Sequence, residues 1–127
     1  MPFDWNDYFG LAQHLANQAD AASKRTAVSR AYYSIFNSAF ERAERNCGMF
    51  PGGMGNHLWC WQQFIRTRDT NCRKLGLRGD RIRRARVKAD YKQDDITKID
   101  VWVNDSLTET RKFQTEFAAL ASHLPCP

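Results

Sequence analysis

No run of apolar residues in this chain approaches the roughly 18 that a membrane-crossing helix needs, so no spanning segment is expected. The first residues carry Asp4 and Asp7 where an export signal would place basic residues ahead of an apolar stretch, and no such signal is read there. The four cysteines, Cys47, Cys60, Cys72 and Cys126, include no CxxC pair. His57 and Cys60 stand three apart but match no zinc-knuckle spacing, so neither a metal site nor a cofactor is expected. Without an export signal, all four cysteines are expected to be reduced thiols in a cytoplasmic protein. There is no internal repeat and no low-complexity tract, and no segment alternates apolar and polar residues with period two, which excludes a strand-built fold. Glycine and proline are scarce, 7 and 4 in 127 residues, and five of them crowd into the stretch 48–55, the one long loop the sequence offers.

The apolar content is nonetheless ample. Hydrophobic residues make up 43% and aromatics 13%, enough for one core and too much for a disordered chain. The length suits a single domain, residues 1–127, because neither half could bury a core alone. Steps of three and four predict an amphipathic helix from Asp4 to about Ala22 with Asp4 as its cap. They predict a second from Lys24 to Asn46, capped by Ser23 and stopped by Gly48. Asn56 opens a third, with Leu58, Trp61, Phe64 and Ile65 on its buried side. Trp59 and Trp61 cannot share a face, so one is expected in the core and the other exposed or at an interface. A fourth helix starts near Asn71, with Gly76 and Gly79 weakening its first turns. A break at 90–93 leads to a fifth, capped by Asp94 or Asp95. The fold class is all-α, a compact bundle of about five helices.

Charge is the least even feature. Net charge is +5, but residues 66–92 hold eleven basic residues against three acidic ones, a local +8 that leaves the rest at −3. Within that span Arg81, Arg83, Arg84, Arg86 and Lys88 precede Asp90 and Tyr91, while Ile82, Ala85 and Ala89 form one narrow apolar stripe. Guanidinium forks match phosphate oxygens, so this row is a candidate for tracking a nucleic-acid backbone. The competing use is ion pairing with the acidic last helix, through Asp94, Asp95, Asp100 and Asp105. Arg30, Tyr33 and Asn37 form a polar strip on the second helix that could face the basic one.

Ser29-Arg30-Ala31-Tyr32-Tyr33-x-x-Phe36, a loop, His57 at a helix start, and Arg86-x-x-Ala89-Asp90-Tyr91 together resemble the HEPN superfamily, in its small single-domain members. The resemblance covers roughly Asp20 to Phe117. It implies a helical bundle that often forms a homodimer. It also implies an RNA-targeting protein, expected to be a metal-independent endoribonuclease of a toxin–antitoxin or prokaryotic defence system, with a nucleotidyltransferase-like antitoxin as partner. The family's catalytic Arg-x4–6-His motif is replaced here by Arg84-x5-Asp90 or Arg86-x4-Tyr91. The alternatives are a non-catalytic HEPN-like module for RNA, a nucleotide or a protein, and a helical subunit that docks on an acidic protein.

Cleavage without metal needs a base for the ribose 2′-hydroxyl and a cation for the phosphorane charge. Arg86 or Arg84 is the candidate cation, Asp90 or a relocated His57 the candidate base, and Tyr91 a candidate for orienting phosphate. Arg30, Arg81, Arg83, Arg84 and Lys88 are the candidate RNA-phosphate contacts.

Overall fold

Five α-helices follow one another, in a computed structural model that describes residues 3–92 and 96–126. They are α1 (Asn6–Ala16), α2 (Ala21–Cys47), α3 (Asn56–Ile65), α4 (Thr70–Tyr91) and α5 (Ile99–Ala119), with no strand among the described residues. No helix among them is long and apolar enough to cross a membrane. The all-α bundle is thus as the periodicity implies.

Several boundaries differ. α1 stops six residues short of Ala22, because Asp20 turns the chain and caps α2, accepting from the Ser23 amide at 2.9 Å. Ser23 donates to the cap instead of being it. Asp4 does not cap α1 in the usual position either; Trp5 stands there, and Asp4 accepts from the Asn6 amide. Asp69 caps α4 through the Cys72 amide, and α4 runs through the expected break to Tyr91. Arg25 of α2 finishes that helix, donating to the carbonyls of Lys88, Ala89 and Lys92 at its C-terminal end. The proposed caps Asp94 and Asp95 lie outside the described residues, and α5 begins after Lys98, which has a positive φ of 55°.

The long α2 packs against all four other helices and divides the core in two. One half gathers Phe9, Ala12, Val28, Ala31, Ala89 and Val103 from α1, α2, α4 and α5. The other holds Tyr32, Ile35, Phe36, Trp61, Phe64, Leu75 and Phe113. Both tryptophans of α3 are buried, against the expectation that one would be exposed or at an interface. Trp61 faces α2 and α5, while the long loop folds Phe50 over Trp59 on the other side, aided by Phe40. Leu58, expected inside, is exposed. Gly76 and Gly79 are not weak points of α4 but its contact face. A Cβ on Gly79 would lie 2.3 Å from the Trp61 ring, and one on Gly76 would lie 2.7 Å from Phe64 Cβ.

The cysteines divide in a way their spacing conceals. Cys60 and Cys72 are free and buried, but Cys47 and Cys126 form a disulfide, correcting the expectation of four thiols. They are 79 residues apart, and only the return of the C-terminal tail to the end of α2 brings them together. Arg42 and Asn46 hold the same tail. Arg42 donates to the carbonyls of Leu120, Ala121 and Leu124, and Asn46 to those of Ser122 and Leu124.

Candidate functional site

The central turns of α2, the start of α3 and the last turns of α4 meet at one place, and they bring four of the sequence candidates together. Arg86 lies at its centre. Its Nη2 donates to Tyr33 Oη at 2.6 Å and to Tyr91 Oη at 3.3 Å. Its Nε lies 2.9 Å from Asp90 Oδ2, an ion pair whose angle falls short of a hydrogen bond. Asp90 Oδ2 also accepts from Ser29 Oγ at 3.1 Å, so the carboxylate ties α4 to α2.

Arg30 does not pair with Asp90 and does not face α4 as an open phosphate contact. Its guanidinium lies between the rings of Tyr8 and Tyr33, 5.2 and 5.1 Å from their centroids. Arg86 in turn lies 5.1 Å from Tyr33 and 5.2 Å from Tyr91. The result is an alternating ladder, Tyr8, Arg30, Tyr33, Arg86, Tyr91, running from α1 through α2 to the end of α4. Each cation–ring contact contributes about 0.5–2 kcal/mol, and each ring restricts the guanidinium planes beside it. The ladder ends at Tyr91, which is 67% exposed. Nothing in the sequence points to Tyr8 in this role, because the contact joins residues far apart in the chain.

His57 closes the site from α3. Its Nδ1 is 2.6 Å from Tyr32 Oη, which accepts from Trp61 Nε1 at 3.1 Å. The imidazole stacks on Phe36 at 4.0 Å and stands 6.0 Å from the Tyr33 ring. Burial, with the cations of Arg86 and Arg83 nearby, lowers its pKa to about 4. Burial likewise pushes the Tyr32 phenol well above its ordinary value.

The His57 shift has a consequence for stability. The unfolded chain takes up the imidazole proton near pH 6.5, the folded one only near pH 4. Between these values the unfolded state binds more protons, so stability is complete above pH 6.5 and falls as pH drops toward 4. The imidazole is only partly buried, so the discounted loss is about 1–2 kcal/mol. Urea unfolding across this range checks it: the difference between the wild type and His57→Gln should narrow or reverse at the acid end. Parallel curves would refute the shift.

The remaining cations divide by face. Arg78 is drawn toward α5, paired with Glu109 and Glu116 (2.7 Å to the latter). Among the described residues the acids paired with α4 are these glutamates and its own Asp80 and Asp90, while Asp100 pairs with Lys24; Asp94 and Asp95 lie outside the described residues. Arg83 is bound to Asp80 at 2.9 Å on the flank facing His57. Lys74, Leu77, Arg81, Arg84, Lys88 and Tyr91 are all exposed and recur at alternating steps of three and four, which places them on one face of α4. That face runs for about 25 Å at 1.5 Å per residue. Its ion pairs are loose, 3.8 Å from Arg81 to Glu109 and 3.6 Å from Arg84 to Asp80, and Lys74 and Lys88 make none among the described residues.

No cluster of three or more potential metal ligands exists among the described residues. Comparison of the chain with protein-family models, with curated proteins and with solved structures finds no match.

Proposed function

We propose that this chain is a HEPN-like RNA-binding protein that holds the phosphate backbone along the exposed face of α4 and ends its contact at the Arg86–Tyr91 cluster. The observation that carries the reading is the row Lys74, Arg81, Arg84 and Lys88: four cations on one open face, loosely paired or, among the described residues, unpaired, while Arg78 and Arg83 are bound to acids. Desolvating such a face against apolar protein is unfavourable, whereas phosphates release counterions from it. Contacts of this kind fix position without reading sequence.

The test is RNA binding across a salt series. The wild type should lose affinity steeply with salt, and Arg84→Gln and Lys88→Gln should each lower the slope of log K against log salt by about 1, uniformly across RNA sequences. Absent RNA binding, or binding indifferent to salt, refutes the reading.

A second reading, a metal-independent endoribonuclease of a toxin–antitoxin or defence system, is favoured by the convergence of Arg86, Asp90, Tyr91 and His57. Arg86 supplies a cation held by Tyr33, Asp90 and Tyr91. The base is harder to assign: Asp90 Oδ2 is shared by Arg86 and Ser29, and His57 Nδ1 is occupied by Tyr32. That is why binding stands first. Cleavage of total RNA in EDTA, abolished by Arg86→Ala, would reverse the order. The homodimer and the nucleotidyltransferase-like antitoxin belong to this second reading. Both readings set the protein in the cytoplasm, where a reducing thiol pool would open Cys47–Cys126 and leave Arg42 and Asn46 to hold the tail.

A further inference from the structure

A hydrogen-bond chain, Trp61 to Tyr32 to His57, runs out of the core and ends at the candidate site. Its direction follows from its first member. An indole N–H only donates, so Tyr32 Oη must accept from Trp61 Nε1. Tyr32 is fully buried, and its one hydroxyl proton needs an acceptor; His57 Nδ1 lies 2.6 Å away. Were Nδ1 protonated, the phenol oxygen would accept twice and its own proton would be left unpaired in the core. The imidazole proton therefore belongs on Nε2, which makes no hydrogen bond among the described residues. The ring cannot turn over freely, because Phe36 stacks on it at 4.0 Å and Tyr33 closes its edge.

We infer that Tyr32 is a positioning residue that locks His57 as the Nε2–H tautomer, so that His57 serves the site as a neutral hydrogen-bond donor to an RNA oxygen beside Arg86 and not as a proton acceptor. The inference rests on the RNA-binding reading. The groups facing His57 agree with it. From α2 come the phenols of Tyr32 and Tyr33, and from α4 the guanidinium groups of Arg83 and Arg86, all of which leave a second proton without an anionic partner. The carboxylates on this side of α4 are already engaged, Asp90 by Arg86 and Ser29 and Asp80 by Arg83. A neutral donor beside a fixed guanidinium suits a phosphate or ribose oxygen, which accepts from both without any proton changing owner.

The experiment joins a spectrum to a binding series. In nitrogen-15-labelled protein at neutral pH, long-range proton–nitrogen correlations of the His57 ring should show the single Nε2–H form, and Tyr32→Phe should turn it into a mixture of tautomers. The Nδ1–H form or a mixture in the wild type would overturn the inference whatever Tyr32→Phe does. In parallel, His57→Phe should weaken RNA binding about tenfold, the cost of one hydrogen bond to a charged acceptor, and His57→Gln should recover part of that loss. If the wild type binds RNA and His57→Phe binds as tightly, the donor role is wrong although the RNA reading survives. If the wild type binds no RNA, the RNA reading falls and the donor role with it, even where the spectrum shows the Nε2–H form.

Discussion

Gly79→Ala is expected to destabilise the protein by about 3 kcal/mol, lowering its melting temperature by roughly 10 °C. On an open helix this substitution is favourable by up to about 1 kcal/mol, since alanine restricts the unfolded chain more than glycine does. Here the added Cβ would lie 2.3 Å from Cζ3 and 2.6 Å from Cε3 and Cη2 of Trp61. The indole has nowhere to retreat. It is 1% exposed, with Tyr32, Phe36, Phe64 and Phe113 around it and its N–H donated to Tyr32. α3 and α4 must therefore separate, and that displacement carries His57 away from Arg86, so RNA binding should weaken as well. Gly10→Ala on α1, where the added Cβ meets nothing within 4 Å, is the matched control and should stabilise by about 0.5 kcal/mol. Equal melting temperatures for wild type and Gly79→Ala would show that the two helices do not approach this closely.

Arg42→Ala should cost about 3–5 kcal/mol. Arg42 is 9% exposed, and its acceptors are carbonyls of the tail, with Nε 2.9 Å from Leu124 O, Nη2 3.2 Å from Leu120 O, and Ala121 O also bound. Burial, and the neighbouring charge of Arg45, pull its pKa below the usual arginine value. Removing it takes a donor from each of three carbonyls, leaving Leu124 O to Asn46 and Ala121 O to the Leu124 amide, and it uncovers the Phe117 ring, which lies 5.0 Å beneath the guanidinium. Arg42→Lys keeps the charge but cannot reach three acceptors from one ammonium, so it should lose about half as much. Denaturant unfolding measures the stability, and limited proteolysis reports whether residues 120–126 come loose. Both are best done with Cys47–Cys126 oxidised and then reduced, since the disulfide tethers the tail that Arg42 binds. A tail equally protected in Arg42→Ala would mean that the disulfide and Asn46 suffice.

Much of the candidate site was legible before any coordinates. The crowding of cations before Asp90 and Tyr91 marked the C-terminal half of α4, and the i, i+4 spacing paired Arg86 with Asp90 correctly. The polar strip containing Arg30 and Tyr33 pointed to α2, and Tyr33 does meet Arg86. What failed was the division of the cations. Arg30, Arg83 and Arg84 look alike in sequence, yet one is stacked between tyrosines, one is bound to Asp80 on a flank, and one is exposed. Which neighbour each guanidinium finds depends on groups brought near by packing, such as Tyr8, Glu109 and Glu116.

The sequence by itself determined the helices, because the three- and four-residue apolar period is local and leaves one face of each segment to be buried. It also determined the concentration of positive charge, because composition does not change on folding. Tertiary structure alone decided that Gly76 and Gly79 are a contact face, that Trp59 is covered, and that Cys47 meets Cys126. It alone placed a phenol between an indole N–H and the imidazole of His57. Each of these joins residues of different elements, and their pairing is set by the volumes and donors that meet when α2 packs against the rest, which no periodicity within a single helix records.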